Sequence, residues 1–90
     1  MGIALIKIKL MPTSPNTNLE EIKNKAYLAI EENKGKNTMF AEEPIAFGLK
    51  AVIASFDIEE EDPLEPIEES LRKIESVNSA EVIDMRRAFG

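Results

Sequence analysis

Carboxylates are the most numerous reactive groups in this 90-residue chain, which holds 17 acidic and 11 basic residues and a formal net charge of −6. They occur as four adjacent pairs and one run: Glu20-Glu21, Glu31-Glu32, Glu42-Glu43, Glu68-Glu69 and residues 59–62. Converging carboxylates could perform acid–base catalysis or bind a hard cation. Adjacent side chains point apart on a strand or a helix, so the pairs do not converge. The run lacks the Asp-x-Asp-x-Asp-Gly spacing of a calcium loop and is interpreted as a solvated turn before a helix.

The chain contains no histidine, no cysteine and no tryptophan. These absences exclude Ser-His and Cys-His dyads, thiolate nucleophiles, disulfides and cysteine-type zinc sites. No glycine-rich phosphate loop is present either, since Gly35 and Gly48 are isolated. The composition therefore favours a binding or regulatory module over an enzyme, and no cofactor or metal is expected.

Two segments are unusual for their place in the chain. Residues 44–50 contain Ile45, Phe47 and Leu49 where a connection between strands is expected. Such residues either fold back onto the core or form a patch for a partner, and the sequence favours neither alternative. The last residues, 85–90, contain two cations, Arg86 and Arg87, and one aromatic residue, Phe89. This end is interpreted as a short tail, either frayed and solubilising or a cationic finger for an anionic site.

Hydrophobic periodicity predicts six elements that position these segments. Strands with a period of two are expected at 3–11, 36–44, 48–58 and 79–87. A first helix begins after Asn18, with Glu21 in the capping-box position, and ends at Lys34 and a left-handed Gly35. A second helix begins with Asp62 as its N-cap and Pro63 at its first position.

The order β-α-β-β-α-β predicts an α+β, ferredoxin-like fold. Its four-stranded antiparallel sheet has the strand order 4-1-3-2, with both helices on one face. The first and third strands are the most apolar and fall in the centre, whereas the charged second and fourth strands fall at the edges. One domain is expected over residues 1–90. No segment approaches the ~20 apolar residues of a membrane helix, and Lys7 and Lys9 interrupt the apolar start, so a cytoplasmic protein is expected.

The whole chain resembles the archaeal elongation factor 1-beta family. The resemblance rests on Met11-Pro12-x-Ser14-Pro15, Asn18-Leu19-Glu20, Glu43-Pro44-Ile45-Ala46-Phe47-Gly48-Leu49-Lys50-Ala51-Val52, Glu68-Glu69-Ser70-Leu71, Ile74-Glu75-x-Val77 and Asp84-x-Arg86-Arg87. The central Pro-Ile-Ala-Phe-Gly-Leu block is the specific part, because the helical motifs are generic.

The resemblance implies a guanine nucleotide exchange factor without covalent chemistry, which promotes exchange of GDP for GTP on elongation factor 1-alpha during protein synthesis. The implied partner is that factor, GDP-bound or nucleotide-free, with no direct nucleic acid, no membrane and no cofactor. An apolar loop would dock on the partner, and the chain end would disturb its magnesium and phosphate site. The implied partner-binding residues are Pro44, Ile45, Ala46, Phe47, Gly48, Leu49, Lys50, Met85, Arg86, Arg87 and Phe89.

In eukaryotic members of the family a lysine approaches the magnesium and phosphate site, and Arg87 is the nearest equivalent, with Arg86 next. Lys50 matches the first lysine of the eukaryotic Gly-x-Lys-Lys, whereas Ala51 replaces the second.

Two other functions fit the same fold: a dimeric small-molecule sensor and an RNA-binding module. An RNA-recognition sheet needs aromatic residues on its exposed face to stack bases. The face expected to be exposed here carries no aromatic residue. Its residues are Leu5, Lys7, Lys9, Leu49, Ala51 and Ile53.

Overall fold

The structure is a computed structural model that describes the backbone of residues 2–89 and the side chains of residues 2–88. Its elements are β1 (Ile3–Pro12), α1 (Leu19–Glu32), β2 (Lys36–Pro44), β3 (Lys50–Glu59), α2 (Glu65–Arg72) and β4 (Val77–Phe89). A single 3₁₀ turn, Ala46–Gly48, joins β2 to β3. The sheet has the order β2-β3-β1-β4, and every neighbouring pair is antiparallel. This confirms the ferredoxin-like arrangement and the order 4-1-3-2.

The core lies between one face of the sheet and the two helices. Its buried side chains are Ile6, Ile8, Leu10, Ile22, Ala26, Ile30, Val52, Ala54, Phe56, Ile58, Ile67, Leu71, Val77 and Ala80. The buried side chains of β1 and β3 come from alternate positions and therefore lie on one face of the sheet. The buried side chains of α1 and those of α2 are spaced four residues apart and belong to the same core, so both helices cover this face. Burying each large side chain contributes about 1.5–3 kcal/mol. No polar or charged side chain is buried in the described part of the chain.

The opposite face of the sheet is not covered by a helix, but one residue predicted to be exposed on this face is buried. Ala51 was expected to be exposed, but it is fully buried. The Lys9 ammonium on β1 forms an ion pair with the Glu43 carboxylate on β2, and the N–O distance is 3.0 Å. Since β3 lies between these strands, the two long side chains cross above it and cover Ala51.

Helix α1 begins as predicted, with Asn18 as its N-cap. The Asn18 Oδ1 accepts hydrogen bonds from the amides of Glu20 and Glu21, at 3.0 and 3.4 Å. At the other end the prediction was wrong in detail, because Lys34 and not the following glycine takes the left-handed conformation (φ 78°). The amide of Gly35 donates to the carbonyl of Ile30 at 2.8 Å, which closes a Schellman-type end.

Gly35 is required for space. A Cβ atom built on it would overlap Ile30 Cγ2 and lie 3.2 Å from Phe56 Cδ2.

Helix α2 begins later than predicted. Its N-cap is Leu64, which makes no side-chain capping bond, and Pro66 rather than Pro63 stands in the first turn. Asp62 belongs instead to the preceding turn, where its amide donates to the carbonyl of Glu59 at 3.0 Å. Its carboxylate lies 3.7 Å from the Lys34 ammonium at the end of α1. A turn and an ion pair thus replace the predicted cap.

Strand β4 extends beyond its predicted limits at both ends, to Val77–Phe89. Residues 85–87 lie in this strand, as the predicted range 79–87 implies, whereas the interpretation of residues 85–90 as a short tail was wrong as far as residue 89. Met85, Arg86 and Arg87 pair with Ile6, Leu5 and Ala4 of β1. This pairing satisfies backbone groups of β1 that would otherwise lack a partner on that side.

In the described part of the chain, no helix is long and apolar enough to cross a membrane.

Candidate partner-binding site

The segment that joins β2 to β3 is a tight hairpin turn. The amide of Ile45 donates to the carbonyl of Leu49 at 2.7 Å, and the amide of Leu49 donates to the carbonyl of Ala46 at 3.3 Å. Between them Phe47 and Gly48 both have positive φ angles, 63° and 77°. The left-handed conformation costs a non-glycine residue about 1–2 kcal/mol, so the turn holds Phe47 in a strained position.

Phe47 is 95% exposed. A phenylalanine ring normally buries 150–250 Å² in a core or an interface, and here no other described residue covers it. Ile45 and Leu49 are half-buried, whereas Pro44, Ala46, Gly48 and Lys50 are exposed. The first sequence alternative, folding back onto the core, thus does not hold for Phe47. The presence of a partner for this loop remains a prediction.

At the other candidate segment, the guanidinium of Arg87 forms two hydrogen bonds with one carboxylate. Arg87 Nε donates to Glu60 Oε2 at 2.6 Å, and Arg87 Nη2 donates to Glu60 Oε1 at 3.0 Å. These bonds lower the pKa of the Glu60 carboxyl and raise the pKa of the Arg87 guanidinium from their ordinary values. The sequence carries no signal for this pair, because its members lie 27 residues apart.

Arg86 has a different partner. Its Nε donates to Asp84 Oδ2 at 2.9 Å, and both residues belong to the same strand. Arg86 and Arg87 are mostly exposed, with side-chain exposures of 72% and 64%.

A bulge in β4 decides which face each arginine occupies. Val82 pairs with Ile8 and Asp84 with Lys7, so Ile83 is an extra residue without a partner on β1. Beyond it, Arg86 lies opposite Leu5 on the open face, whereas Arg87 lies opposite Ala4 on the face that carries the helices. The two arginines thus project from opposite faces and do not form one cationic finger.

Arg87 and Glu60 line an open groove of about 470 Å³, to whose lining Arg86 also contributes. Its apolar lining is Ala4, Ile6, Ile58, Leu64 and Met85. Met85 is 60% exposed although it shares its side of the sheet with the core residue Ile6. The groove therefore places apolar surface directly beside the ion pair.

The two candidate segments lie at opposite ends of the sheet. The hairpin turn precedes Lys50 at the start of β3, whereas Arg87 pairs with Ala4, which pairs with Ile58 near the end of β3. Eight residues of an extended strand at ~3.3 Å each separate these levels by about 26 Å. The fold does not bring the predicted contact residues into one patch. For Phe89 the predicted contact lies outside the described side chains.

The acidic residues do not assemble into a metal site. In the described part of the chain, no three acidic side chains converge. Instead the Lys23 ammonium bridges Glu20 and Glu42, at 3.0 and 2.8 Å, which links α1 to β2. The hydrogen bond from Lys23 lowers the pKa of Glu42, and the bonds to Glu42 and Glu20 raise the pKa of Lys23. These carboxylates thus act in surface ion pairs.

The open face of the sheet presents no stacking platform among the described side chains. Phe40 pairs with Ala54 and packs against the core, and Phe56 is buried. On this face the large exposed apolar residues Leu5 and Met39 lie beside the cations Lys7 and Arg86, in a recess of about 350 Å³. Among the side chains of residues 2–88, this face therefore offers no aromatic ring for the base stacking that single-stranded RNA recognition uses.

Comparison with known proteins shows the class of protein to which this chain belongs. Residues 5–88 match the family model described as the EF-1 guanine nucleotide exchange domain. The protein is thus a guanine nucleotide exchange factor with a ferredoxin-like fold.

The chain is 41% identical over 88 residues to elongation factor 1-beta of Methanosarcina barkeri, a match that covers 97% of this chain and 99% of that protein. It is 39% identical over 89 residues to elongation factor 1-beta of Methanocaldococcus jannaschii, covering 98% of this chain and the whole relative. For Methanococcus maripaludis the identity is 38% over 86 residues, covering 94% and 97%. The chain belongs to the elongation factor 1-beta family, which confirms the resemblance, and its role is guanine nucleotide exchange in translation.

Proposed function

We propose that this chain acts on elongation factor 1-alpha by contacting it at both ends of the sheet, with the hairpin turn as the docking element and the end of β4 as the element that disturbs the nucleotide site. The observation that carries this proposal is Phe47, a strained aromatic residue that is 95% exposed at the tip of the turn. Strain of this kind concentrates at functional sites.

The docking element consists of residues 44–50. Transfer of the Phe47 ring from water into a pocket of the partner would bury most of its surface at little cost in loop ordering, because the two hydrogen bonds across the turn already fix the backbone. Lys50 lies at the base of the turn and is exposed. It adds a positive charge next to the apolar tip.

The second element consists of Met85, Arg86 and Arg87, with Phe89 following them in the sequence. A GTPase holds GDP through its phosphates and Mg²⁺. A guanidinium placed there would bind phosphate oxygens and repel the metal ion. We assign this role first to Arg87, then to Arg86.

The mechanism requires no covalent chemistry, no cofactor and no proton transfer. A partner that binds the nucleotide-free GTPase more tightly than the GDP-bound form must weaken GDP binding by the same factor. The chain would therefore bind the GDP-bound form first, stabilise the nucleotide-free form, and leave when GTP rebinds. Neither nucleic acid nor a membrane takes part in this cycle. The cycle takes place in the cytoplasm, and residues 1–90 act in it as one domain.

The test is release of a fluorescent GDP analogue from elongation factor 1-alpha, measured against the concentration of this chain. We expect Phe47→Ala to raise the half-saturating concentration at least ~10-fold, which corresponds to about 1.4 kcal/mol of docking energy. Leu28→Ala is the matched control, because Leu28 is an apolar residue that is 57% exposed on α1. Equal half-saturating concentrations for the two variants would contradict the docking role, and no acceleration by the wild-type chain would contradict the proposed function altogether.

A further inference from the structure

We propose that Glu60 is a positioning residue, which holds the guanidinium of Arg87 in the orientation that it needs at an anionic site of the partner. This inference rests on the proposed function of Arg87. Two parallel hydrogen bonds, at 2.6 and 3.0 Å, join the Arg87 guanidinium to the Glu60 carboxylate.

Glu60 is itself fixed by its backbone. Its amide donates to the carbonyl of Gly2, just before β1, at 2.9 Å. The turn that follows is closed by the bond from the Asp62 amide to the Glu59 carbonyl at 3.0 Å. The carboxylate therefore projects from a backbone position that the sheet determines, and the ion pair ties the end of β4 to the connection between β3 and α2.

The pair leaves Arg87 able to bind an anion. A guanidinium has five N–H donors, and the bonds to Glu60 use one on Nε and one on Nη2. Three donors remain, and the side chain is 64% exposed. An arginine loses rotamer freedom when it is ordered, and Glu60 has already reduced this freedom before the partner arrives.

The neighbouring arginine lacks such support. Arg86 forms one hydrogen bond, to Asp84 two residues earlier in the same strand. That bond does not connect β4 to another element. The hydrogen bonds therefore distinguish Arg87 from Arg86, because only Arg87 is joined to a residue outside its own strand.

The experiment uses the full chain with elongation factor 1-alpha and a fluorescent GDP analogue. We expect Glu60→Gln, which keeps the size of the side chain and removes its charge, to lower the exchange rate at saturation by roughly 3-fold, within the range of a well-formed surface ion pair. Glu60→Asp should recover part of this loss, because it retains the carboxylate. Glu61→Gln is the matched control, because Glu61 is exposed and makes no hydrogen bond or ion pair within residues 2–88.

The same change in an Arg87→Ala background separates positioning from other roles. If Glu60 acts through Arg87, Glu60→Gln causes no further loss there. An equal loss in both backgrounds overturns the proposal, as does a faster rate for Glu60→Gln, which would make Glu60 a restraint on Arg87. If Arg87→Ala slows exchange and Glu60→Gln does not, positioning fails while the proposed function stands. If Arg87→Ala leaves the rate unchanged, both the role of Arg87 and the positioning proposal fail.

Discussion

Phe47 and Arg87 lie at opposite ends of the same sheet, because Lys50, at the base of the turn that carries Phe47, is about 26 Å from the level of Arg87 by the rise per residue of extended chain. The longest dimension of the molecule is 42 Å. A partner that contacts both residues must therefore span most of the domain. The central strands β1 and β3 fix the distance between the two contacts, because they pair with each other over eight positions and their inner faces are buried.

Phe47→Gly should stabilise the fold while it weakens exchange. Glycine adopts a φ of 63° without the steric cost that a phenylalanine incurs, so we expect the free energy of unfolding to rise by about 0.5–1 kcal/mol. Urea denaturation measures this change. Phe47→Ala, which keeps the strain, should shift the free energy of unfolding by less than ~0.5 kcal/mol. A large loss of stability in either variant would show that the ring supports the core.

Arg87→Ala should slow exchange more than Arg86→Ala. Because Arg87→Ala removes the charge-assisted hydrogen bonds to phosphate oxygens, we expect a decrease of at least ~10-fold in the saturating rate for this variant. For Arg86→Ala a decrease below ~2-fold is expected, since its guanidinium projects from the other face. The assay with a fluorescent GDP analogue at saturating concentrations of each variant decides the order. The reverse order would assign the role to Arg86.

The Glu60 carboxyl should titrate at a lower pH than an ordinary glutamate. The hydrogen bond from Arg87 is the main cause of its lowered pKa, so Arg87→Ala should return the pKa toward that of an ordinary glutamate, whereas Arg86→Ala should leave it unchanged. The stabilisation from this pair is fully present above the unfolded-state pKa and is lost as the pH falls through the folded-state pKa. Carboxyl-detected NMR titration of the three proteins measures these values. The same pKa in all three would contradict the pairing in solution.

Gly35→Ala should destabilise the fold by about 1–3 kcal/mol, because the new methyl group overlaps the side chain of Ile30 in a packed core. Gly48→Ala is the comparison, since no atom lies within 4 Å of a Cβ built there. Its φ of +77° still predicts a loss of about 1 kcal/mol. Thermal and urea unfolding distinguish the two. An unchanged stability for Gly35→Ala would mean that the end of α1 shifts to make room.

Local patterns predicted most of the fold because each depends on nearby residues. The alternation of Ile6, Ile8 and Leu10 marks a strand with one buried face, and Asn18 supplies a side-chain oxygen where the first helix needs an acceptor. The start of α2 was not predictable in the same way. Asp62 has the right type for a cap, but it is engaged by Lys34, a residue 28 positions earlier.

For the candidate site, local patterns likewise predicted one part, and the tertiary structure decided the rest. The composition of residues 44–50 and of residues 85–89 singled out both segments, but the exposure of Phe47 follows from a turn whose two central residues both have positive φ angles. Regular alternation from the buried Ala80 would place Arg87 on the open face. The bulge at Ile83 reverses that assignment.

The sequence alone determined the element order, the apolar faces and, through the Pro-Ile-Ala-Phe-Gly-Leu block, the family to which the protein belongs. These properties follow from the spacing of apolar residues along the chain and from the residues of one short block. Only the tertiary structure decided that Phe47 and Arg87 lie at opposite ends of the sheet, that Arg86 and Arg87 face opposite sides, and that Glu60 holds Arg87. Each of these depends on strand register and on contacts between residues distant in sequence, which no local pattern specifies.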